Sequence, residues 1–189
     1  MHNSKIKKKI ITLIGPTACN KTSTAVHLIK KFPISIIGVD SVQIYKRFNI
    51  GSAKPPKEIL EKYKHHLVDS ADPENIFSVK DFYDQAYRIV MQAHSNNRIP
   101  LLVGGTMMYF NALFKGINDI PEGNEAIREE LQRELDNRGV DKLFNEMKEI
   151  DPESAKTIKK NDKQRIMRAL EVYKICLLYT SDAADEGWW

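Results

Sequence analysis

The feature that most constrains the fold is an apolar run followed directly by a glycine-led loop that ends in Lys-Thr. The run is KIITLI, and residues 15–22 after it read GPTACNKT. This segment fits the phosphate-binding loop G-x-x-x-x-G-K-[ST] at every position but one, because Asn20 stands where the second glycine belongs. Asparagine tolerates the left-handed backbone region better than other non-glycine residues, so we expect the loop to be preserved.

A loop of this kind joins a strand to a helix and directs several backbone N–H groups at one point, where the helix dipole also favours an anion. Lys21 adds a positive charge, and the Thr22 hydroxyl is a candidate Mg²⁺ ligand. An ordinary strand–turn–helix is the alternative. We predict phosphate binding, with Mg²⁺ as cofactor, by the following loop residues: Gly15, Pro16, Thr17, Ala18, Cys19, Asn20, Lys21 and Thr22.

Three short β-branched runs predict buried strands at 10–14, 34–39 and 99–103. Helical spacing of apolar residues between them predicts helices at 21–31 and 78–95, the second with Ser78 and Asp81 as a capping pair. Apolar strands that alternate with helices indicate an α/β fold with a parallel sheet covered on both faces. Ligands of such sheets gather at the carboxyl ends of the strands.

From about residue 119 the strand pattern stops, and helical patterns follow at 124–138, 141–150 and 162–177. We therefore predict a core over residues 1–118 and a helical unit over residues 119–176. The last residues, 177–189, lack periodicity and end in two tryptophans. We interpret them as a tail that does not belong to the natural protein.

Polar residues follow the second and third predicted strands. Asp40 lies where a general base or a ligand of Mg²⁺-bound water would be placed, although aspartate also caps turns. Ser41 and Gln43 could read the edge of a base. Gly104-Gly105 permits close backbone approach before Thr106, whose hydroxyl could serve a site or cap the next helix.

The segment NDKQRIMRALEVY, residues 161–173, predicts a helix with Asp162 as its cap. Its apolar face is predicted to bury Ile166, Leu170 and Tyr173. The opposite face carries Gln164, Arg165 and Arg168. Two arginines beside a glutamine suit phosphate and base contacts, and a solvated polar face is the alternative reading.

Composition allows a nucleic-acid partner without requiring one, because 29 basic and 25 acidic residues leave a net charge of +4. Cys19 and Cys176 form no metal or redox spacing, and the adjacent His65 and His66 have no partner at metal-ligand spacing, so we interpret both histidines as structural. No secretory segment and no run of about 18 apolar residues is found. We expect a cytoplasmic monomer without a membrane partner.

Six segments together resemble the tRNA dimethylallyltransferase (tRNA isopentenyltransferase) family in order and approximate spacing. They are GPTACNKT, VDSVQIYK, NIGSAKP, HHLVD, IPLLVGGTMMYF and DKQRIMRALEVY. The resemblance implies a P-loop NTPase-like α/β core and a helical insertion that binds the anticodon arm of tRNA. It also implies transfer of a dimethylallyl group from dimethylallyl diphosphate to N6 of the adenosine 3′-adjacent to the anticodon.

By position, the resemblance makes Asp40 the base that takes the N6 proton and places Thr106 at the reaction centre. It assigns the pyrophosphate, with Mg²⁺, to the loop at residues 15–22. The tRNA contacts that it implies are Asp40, Ser41, Val42, Gln43, Thr106, Arg128, Gln164, Arg165, Ile166, Met167 and Arg168.

The family pattern has glycine in place of Asn20 and continues with later segments that include a pyrophosphate-binding arginine. We therefore expect a C-terminally truncated member of the family. Three alternatives stay open at this point. They are a small-molecule P-loop kinase, an adenylate isopentenyltransferase and a non-catalytic RNA-binding remnant.

Overall fold

The computed structural model describes residues 9–117, 121 and 123–185. The chain divides into two compact units, Met1–Ile117 and Asn118–Trp189. The division lies one residue before the boundary placed at 118/119 from the sequence, and that boundary itself falls outside the described residues. No helix in the described ranges is both long and apolar enough to cross a membrane.

The first unit is an α/β layer structure, as predicted. Its described elements are strands β1 (Ile11–Ile14), β2 (Ile34–Val39), β3 (His65–His66) and β4 (Ile99–Gly104) and helices α1 (Lys21–Ile29), α2 (Lys57–Lys62), α3 (Val79–Ser95) and α4 (Met107–Lys115). The sheet has the order β1-β4-β2-β3, and every pair is parallel. The three predicted strands are confirmed.

Sequence reasoning missed β3 and α2. Strand β3 contains only two residues, which is too short for a period-2 pattern. Helix α2 contains six residues, none of them buried, so it lacks an apolar stripe. His65 and His66 pair with β2 in the sheet, and burial lowers the pKa of both, which favours their neutral form. Their interpretation as structural residues agrees with this placement.

Apolar side chains cover both faces of the sheet because alternate strand residues point to opposite sides. All six residues of β2 are buried. On one face, Ile37 and Leu102 pack with Phe82 of α3 and Tyr109 of α4, whose rings stack at 4.0 Å. On the other face, Ile36 packs in a smaller cluster with α1. Packing on both faces therefore supports the carboxyl ends of β2 and β4, whereas β1 is mostly exposed.

At that edge the backbones of β2 and β4 approach closely. Val39 pairs with Gly104, and the carbonyl of Val39 accepts hydrogen bonds from the N–H groups of Gly105 and Thr106, both at 3.2 Å. A Cβ atom on Gly104 would lie 2.0 Å from the Val39 oxygen. Only glycine fits at position 104. The close contact between the Val39 and Gly104 backbones brings the loops after β2 and β4 together.

The second unit is helical, as the pattern after residue 119 predicted. Its described helices are α5 (Glu125–Arg138), α6 (Val140–Ile150), α7 (Pro152–Thr157) and α8 (Lys163–Asp185). Leu131, Leu143, Met147, Ile166 and Leu170 are the most deeply buried residues of its core. The six-residue helix α7 was missed because none of its residues is buried.

Two details of α8 differ from the expectations. Tyr173 is 40% exposed and does not belong to the buried face, whereas Glu171 is 2% exposed. The reason is that hydrogen-bond donors on both sides of Glu171 hold its carboxylate inside the unit. The helix also continues to Asp185 instead of ending at 177, because no glycine or proline interrupts it there. The non-native tail at 177–189 stays a prediction, and residues 186–189 lie outside the described ranges.

The N-terminus of α3 carries the predicted capping box, in which the Ser78 hydroxyl accepts from the Asp81 N–H and the Asp81 carboxylate accepts from the Ser78 N–H. We expect Ser78→Ala to lower the free energy of unfolding by about 1 kcal/mol, because one helix donor loses its partner. Urea denaturation followed by circular dichroism measures this change. Ser95→Ala, at the other end of the same helix, is the matched control and should cost less than about 0.5 kcal/mol. Equal effects of the two substitutions would contradict the capping role.

Candidate active site

The phosphate loop leaves β1 at Ile14 and enters α1 at Lys21. Asn20 adopts the left-handed conformation that the sequence led us to expect, with φ 60° and ψ 22°, and Ala18 is left-handed as well, with φ 65°. The side chain of Asn20 makes no capping hydrogen bond to the helix. The substitution of the second glycine therefore leaves the backbone path of the loop intact, because asparagine can occupy this region.

Lys21 folds back over the loop. Its ammonium group donates to the carbonyl of Gly15 at 2.8 Å and to that of Pro16, and it lies 3.6 Å from the Sγ atom of Cys19. The positive charge is thus held at the amino end of α1, where the helix dipole has the same sign. The charge of Lys21 and the dipole of α1 both favour binding of an anion at the loop.

A cavity of about 590 Å³ opens beside this loop. Its wall contains the loop residues Thr17 to Thr22 together with Asp40 and Gln43. The loop and the polar end of β2 therefore face one space, although Thr22 and Asp40 lie 18 positions apart in the sequence. The cavity wall also contains residues that sequence reasoning did not assign: His27, Lys30, Ser52 and Ala53. The segment NIGSAKP, which carries the last two, was the available signal.

Asp40 uses one carboxylate oxygen to build its own turn. Its Oδ1 atom accepts from the N–H groups of Val42 at 2.9 Å and Gln43 at 3.1 Å. Within residues 9–117 no hydrogen bond to Oδ2 is present. The turn-capping role that sequence reasoning offered as an alternative is therefore real, and it leaves the second oxygen able to accept a proton.

Thr106 joins the ends of β2 and β4. Its Oγ1 atom accepts from the Ser41 N–H at 3.0 Å, and the hydroxyl also lies 3.4 Å from the Ser41 hydroxyl oxygen. Thr106 is the residue before α4, but its side chain caps no helix N–H. It contacts the turn that carries Asp40, although it is not part of the cavity wall itself.

The amide group of Gln43 is engaged within the loop. Its Nε2 atom donates to the carbonyls of Ser52 at 3.1 Å and Ala53 at 3.0 Å. The donor that we expected to read a base edge is therefore committed to the protein in this structure. Val42, which the resemblance also places at the tRNA, is 47% exposed.

The candidate RNA-contacting residues of the second unit differ in accessibility. Gln164 is exposed, and the side chain of Arg165 is 71% exposed with Asp162 beside it at 3.5 Å. Asp162 accepts from the Arg165 N–H, as expected of a cap. Ile166 is fully buried in the helical core, so its side chain is not available for a direct contact in this structure. Met167 is half-buried.

Arg128 and Arg168 are brought together although 40 positions separate them in the chain. Both donate to the carboxylate of Glu171, at 2.7 Å and 2.6 Å. Sequence reasoning did not single out Glu171. The available signal was an acidic residue placed between the apolar residues Leu170 and Val172 in the sequence.

The oxygen donors of the first unit suit Mg²⁺ bound together with a substrate phosphate better than a metal ion bound by protein side chains alone. No group of three or more His, Cys, Asp or Glu residues able to hold a metal is found among the described residues. The oxygen donors Thr22 and Asp40 nevertheless face the same cavity. Mg²⁺ commonly keeps several waters and is bound by one or two protein oxygens together with substrate phosphates.

The chain was compared with protein families and with known proteins. The family model for IPP transferase matches residues 43–186. A tRNA dimethylallyltransferase of Vesicomyosocius okutanii is 44% identical over 171 residues, which are 90% of this chain and 56% of that protein. A tRNA dimethylallyltransferase of Dichelobacter nodosus is 43% identical over 165 residues, 87% of this chain and 52% of that protein. The chain thus spans about half the length of the curated relatives it matches.

Solved structures give the same result. The full-length tRNA isopentenylpyrophosphate transferase of Bacillus halodurans aligns with a TM-score of 0.57 and 40% identity over 89% of this chain and 56% of that one. A eukaryotic dimethylallyltransferase studied acting on tRNA aligns with a TM-score of 0.75 and 28% identity over 88% of this chain and 42% of that one. The P-loop NTPase-like class is therefore confirmed, and the chain belongs to the IPP transferase family.

Proposed function

We propose that the protein transfers a dimethylallyl group from dimethylallyl diphosphate to N6 of the adenosine 3′-adjacent to the anticodon of tRNA. The observation that carries this proposal is the single cavity wall shared by the phosphate loop and Asp40. An anion site and a carboxylate that face one space are what a transfer with a diphosphate leaving group needs. Membership of the IPP transferase family and the named activities of the relatives support the same assignment.

In this proposal the loop at residues 15–22 binds the diphosphate. Its backbone N–H groups, the amino end of α1 and Lys21 all favour negative charge, and leaving-group charge is what must be neutralised as the carbon–oxygen bond breaks. Mg²⁺ would be held by the Thr22 hydroxyl, with Asp40 in reach of the same cavity, and would supply additional charge neutralisation.

Asp40 acts as the base. The exocyclic amine of adenine is a weak nucleophile because its lone pair is delocalised into the ring. A carboxylate that accepts the N6 proton as the N6–carbon bond forms removes this obstacle, and Oδ2 of Asp40 is the oxygen not used by the turn. Thr106, at the reaction centre in this proposal, also fixes the turn through the Ser41 N–H.

The helical unit binds the anticodon arm in this proposal. Its polar face presents Gln164 and Arg165, and Arg128 and Arg168 add two positive charges to the unit. The target base has to leave its stack to be modified, so backbone contacts that hold the arm are required. We further propose that the protein works as a cytoplasmic monomer with tRNA as its macromolecular partner.

Family membership does not favour the kinase and the adenylate transferase alternatives. The RNA-binding remnant differs from the transferase only in whether chemistry follows binding. It is therefore an outcome of the second experiment below.

The donor site is tested first by binding. We expect dimethylallyl diphosphate to bind in the presence of Mg²⁺ and ATP to compete weakly. Lys21→Met should weaken binding about tenfold or more, because a charge-assisted contact to the diphosphate is lost. Lys31→Met is the matched control, since Lys31 is exposed and outside the cavity wall, and it should bind normally. Isothermal titration calorimetry measures the dissociation constant of dimethylallyl diphosphate for the unchanged chain and for the two variants. Equal displacement by ATP, or equal loss in both variants, would contradict the donor assignment.

The base is tested by Asp40→Asn, which retains the oxygen that accepts from Val42 and Gln43 but cannot take a proton. We expect the rate of adenosine N6 modification in a synthetic anticodon stem-loop, measured by mass spectrometry, to fall about a hundredfold or more while donor binding persists. Asp84→Asn, at an exposed position of α3, should leave the rate unchanged. Full activity of Asp40→Asn would refute the assignment. Binding of donor and RNA by the unchanged chain without any modified product would favour the RNA-binding remnant.

A further inference from the structure

Glu171 is an ionisable side chain that the proposed chemistry does not use. It lies on α8 next to Leu170, and only 2% of its surface is exposed. A carboxylate buried without partners is costly, so the protein must provide compensating hydrogen bonds and charge. The groups that contact the Glu171 carboxylate therefore indicate its role.

Three donors converge on the carboxylate. Oε1 accepts from Arg128 Nε at 2.7 Å and from the Asn124 N–H at 2.9 Å, and Oε2 accepts from Arg168 Nη1 at 2.6 Å. Burial alone would raise the pKa of Glu171, but the hydrogen bonds from Arg168, the Asn124 N–H and Arg128 outweigh burial and lower the pKa below its usual value. The group is a fixed anion that joins α5, the loop before it and α8.

The two arginines are held in different ways. Arg168 uses both terminal nitrogens within the protein, because Nη2 donates to the carbonyl of Pro121 at 2.8 Å. Arg128 is bound to Glu171 through Nε alone, and its side chain is 54% exposed. Within the part of the chain that the structure describes, its Nη1–Nη2 edge makes no hydrogen bond. A pair of parallel donors is thus left on a fixed guanidinium.

The guanidinium of Arg128 also lies close to Gly123. A Cβ atom at Gly123 would lie 2.0 Å from Nη2 of Arg128 and 2.5 Å from its central carbon. The guanidinium therefore packs directly against the glycine backbone. Alanine at position 123 would therefore displace the Arg128 guanidinium without changing any charge.

We infer that Glu171 is a positioning residue that holds Arg128 so that its Nη1–Nη2 edge binds a backbone phosphate of RNA. The inference rests on the proposed function, since it takes RNA as the partner of the helical unit. A guanidinium edge with two parallel N–H groups matches two phosphate oxygens, and two arginines against one carboxylate leave one net positive charge for the phosphate.

The direction in which Glu171→Gln changes the RNA affinity distinguishes a positioning role of Glu171 from a purely electrostatic one. Glu171→Gln removes a negative charge, which by charge alone should tighten RNA binding. It also places an amide donor opposite Arg168 Nη1 or Arg128 Nε, which breaks the network. We expect about tenfold weaker binding of a synthetic anticodon stem-loop hairpin, and a salt dependence of log K that is smaller in magnitude by about 0.7 to 0.9, the value for one lost phosphate contact.

The matched control is Glu130→Gln, which removes the same charge from α5 where Glu130 pairs with Lys174 and not with either arginine. It should bind the hairpin as well as the unchanged chain or more tightly. Gly123→Ala is the second variant, free of any charge change, and it should weaken binding to a similar degree. Fluorescence anisotropy titrations of the full chain, with active concentration set by stoichiometric titration, compare affinities per folded molecule.

Weaker binding of both Glu171→Gln and Gly123→Ala, with normal binding of Glu130→Gln, supports the inference. Binding of Glu171→Gln that equals that of Glu130→Gln overturns it and leaves the proposed function standing. Should Glu171→Gln unfold, normal binding by Gly123→Ala overturns the inference and weakened binding supports it. Failure of the unchanged chain to bind the hairpin overturns the inference together with the proposed RNA partner.

Discussion

The close approach of β2 and β4 is the constraint on which the first unit depends. Gly104 brings the β4 backbone against Val39, where no side chain fits, and the Val39 carbonyl then accepts from two N–H groups of the loop after β4. Because these strands are parallel and adjacent, their carboxyl ends emerge side by side, and Thr106 can hold the turn that follows Val39. Everything assigned to chemistry in this unit lies at that edge.

The phosphate loop shows how a local substitution is absorbed. The loop needs a left-handed residue just before α1, and Asn20 supplies it at φ 60° in place of glycine. The cost is small because the asparagine side chain tolerates this region, whereas a β-branched residue would not. The neighbouring Ala18 is also left-handed, at φ 65°, where alanine is less tolerated than asparagine, and strained residues of this kind are concentrated at functional sites.

A different principle organises the helical unit. Its core is apolar, but one carboxylate is buried within it and compensated by two arginines from different helices. A buried network of this kind contributes little net stability compared with apolar packing, so its value lies in orientation. In the first unit, orientation comes from strand pairing and glycine contacts. In the second, it comes from a shared anion.

The sequence by itself determined the elements with strong local patterns. The three long strands, the helices α1, α3, α5, α6 and α8, the capping box at Ser78 and the left-handed Asn20 all follow from residues near each other in the chain, because periodicity and backbone preference are local properties. Short elements without buried residues, β3, α2 and α7, carried no such pattern.

Only the tertiary structure decided which distant groups meet. Thr106 bonds to Ser41, the amide of Gln43 donates to the carbonyls of Ser52 and Ala53, and Glu171 is buried in place of Tyr173. Each depends on groups 9 to 65 positions apart, which meet only when strands pair and helices pack.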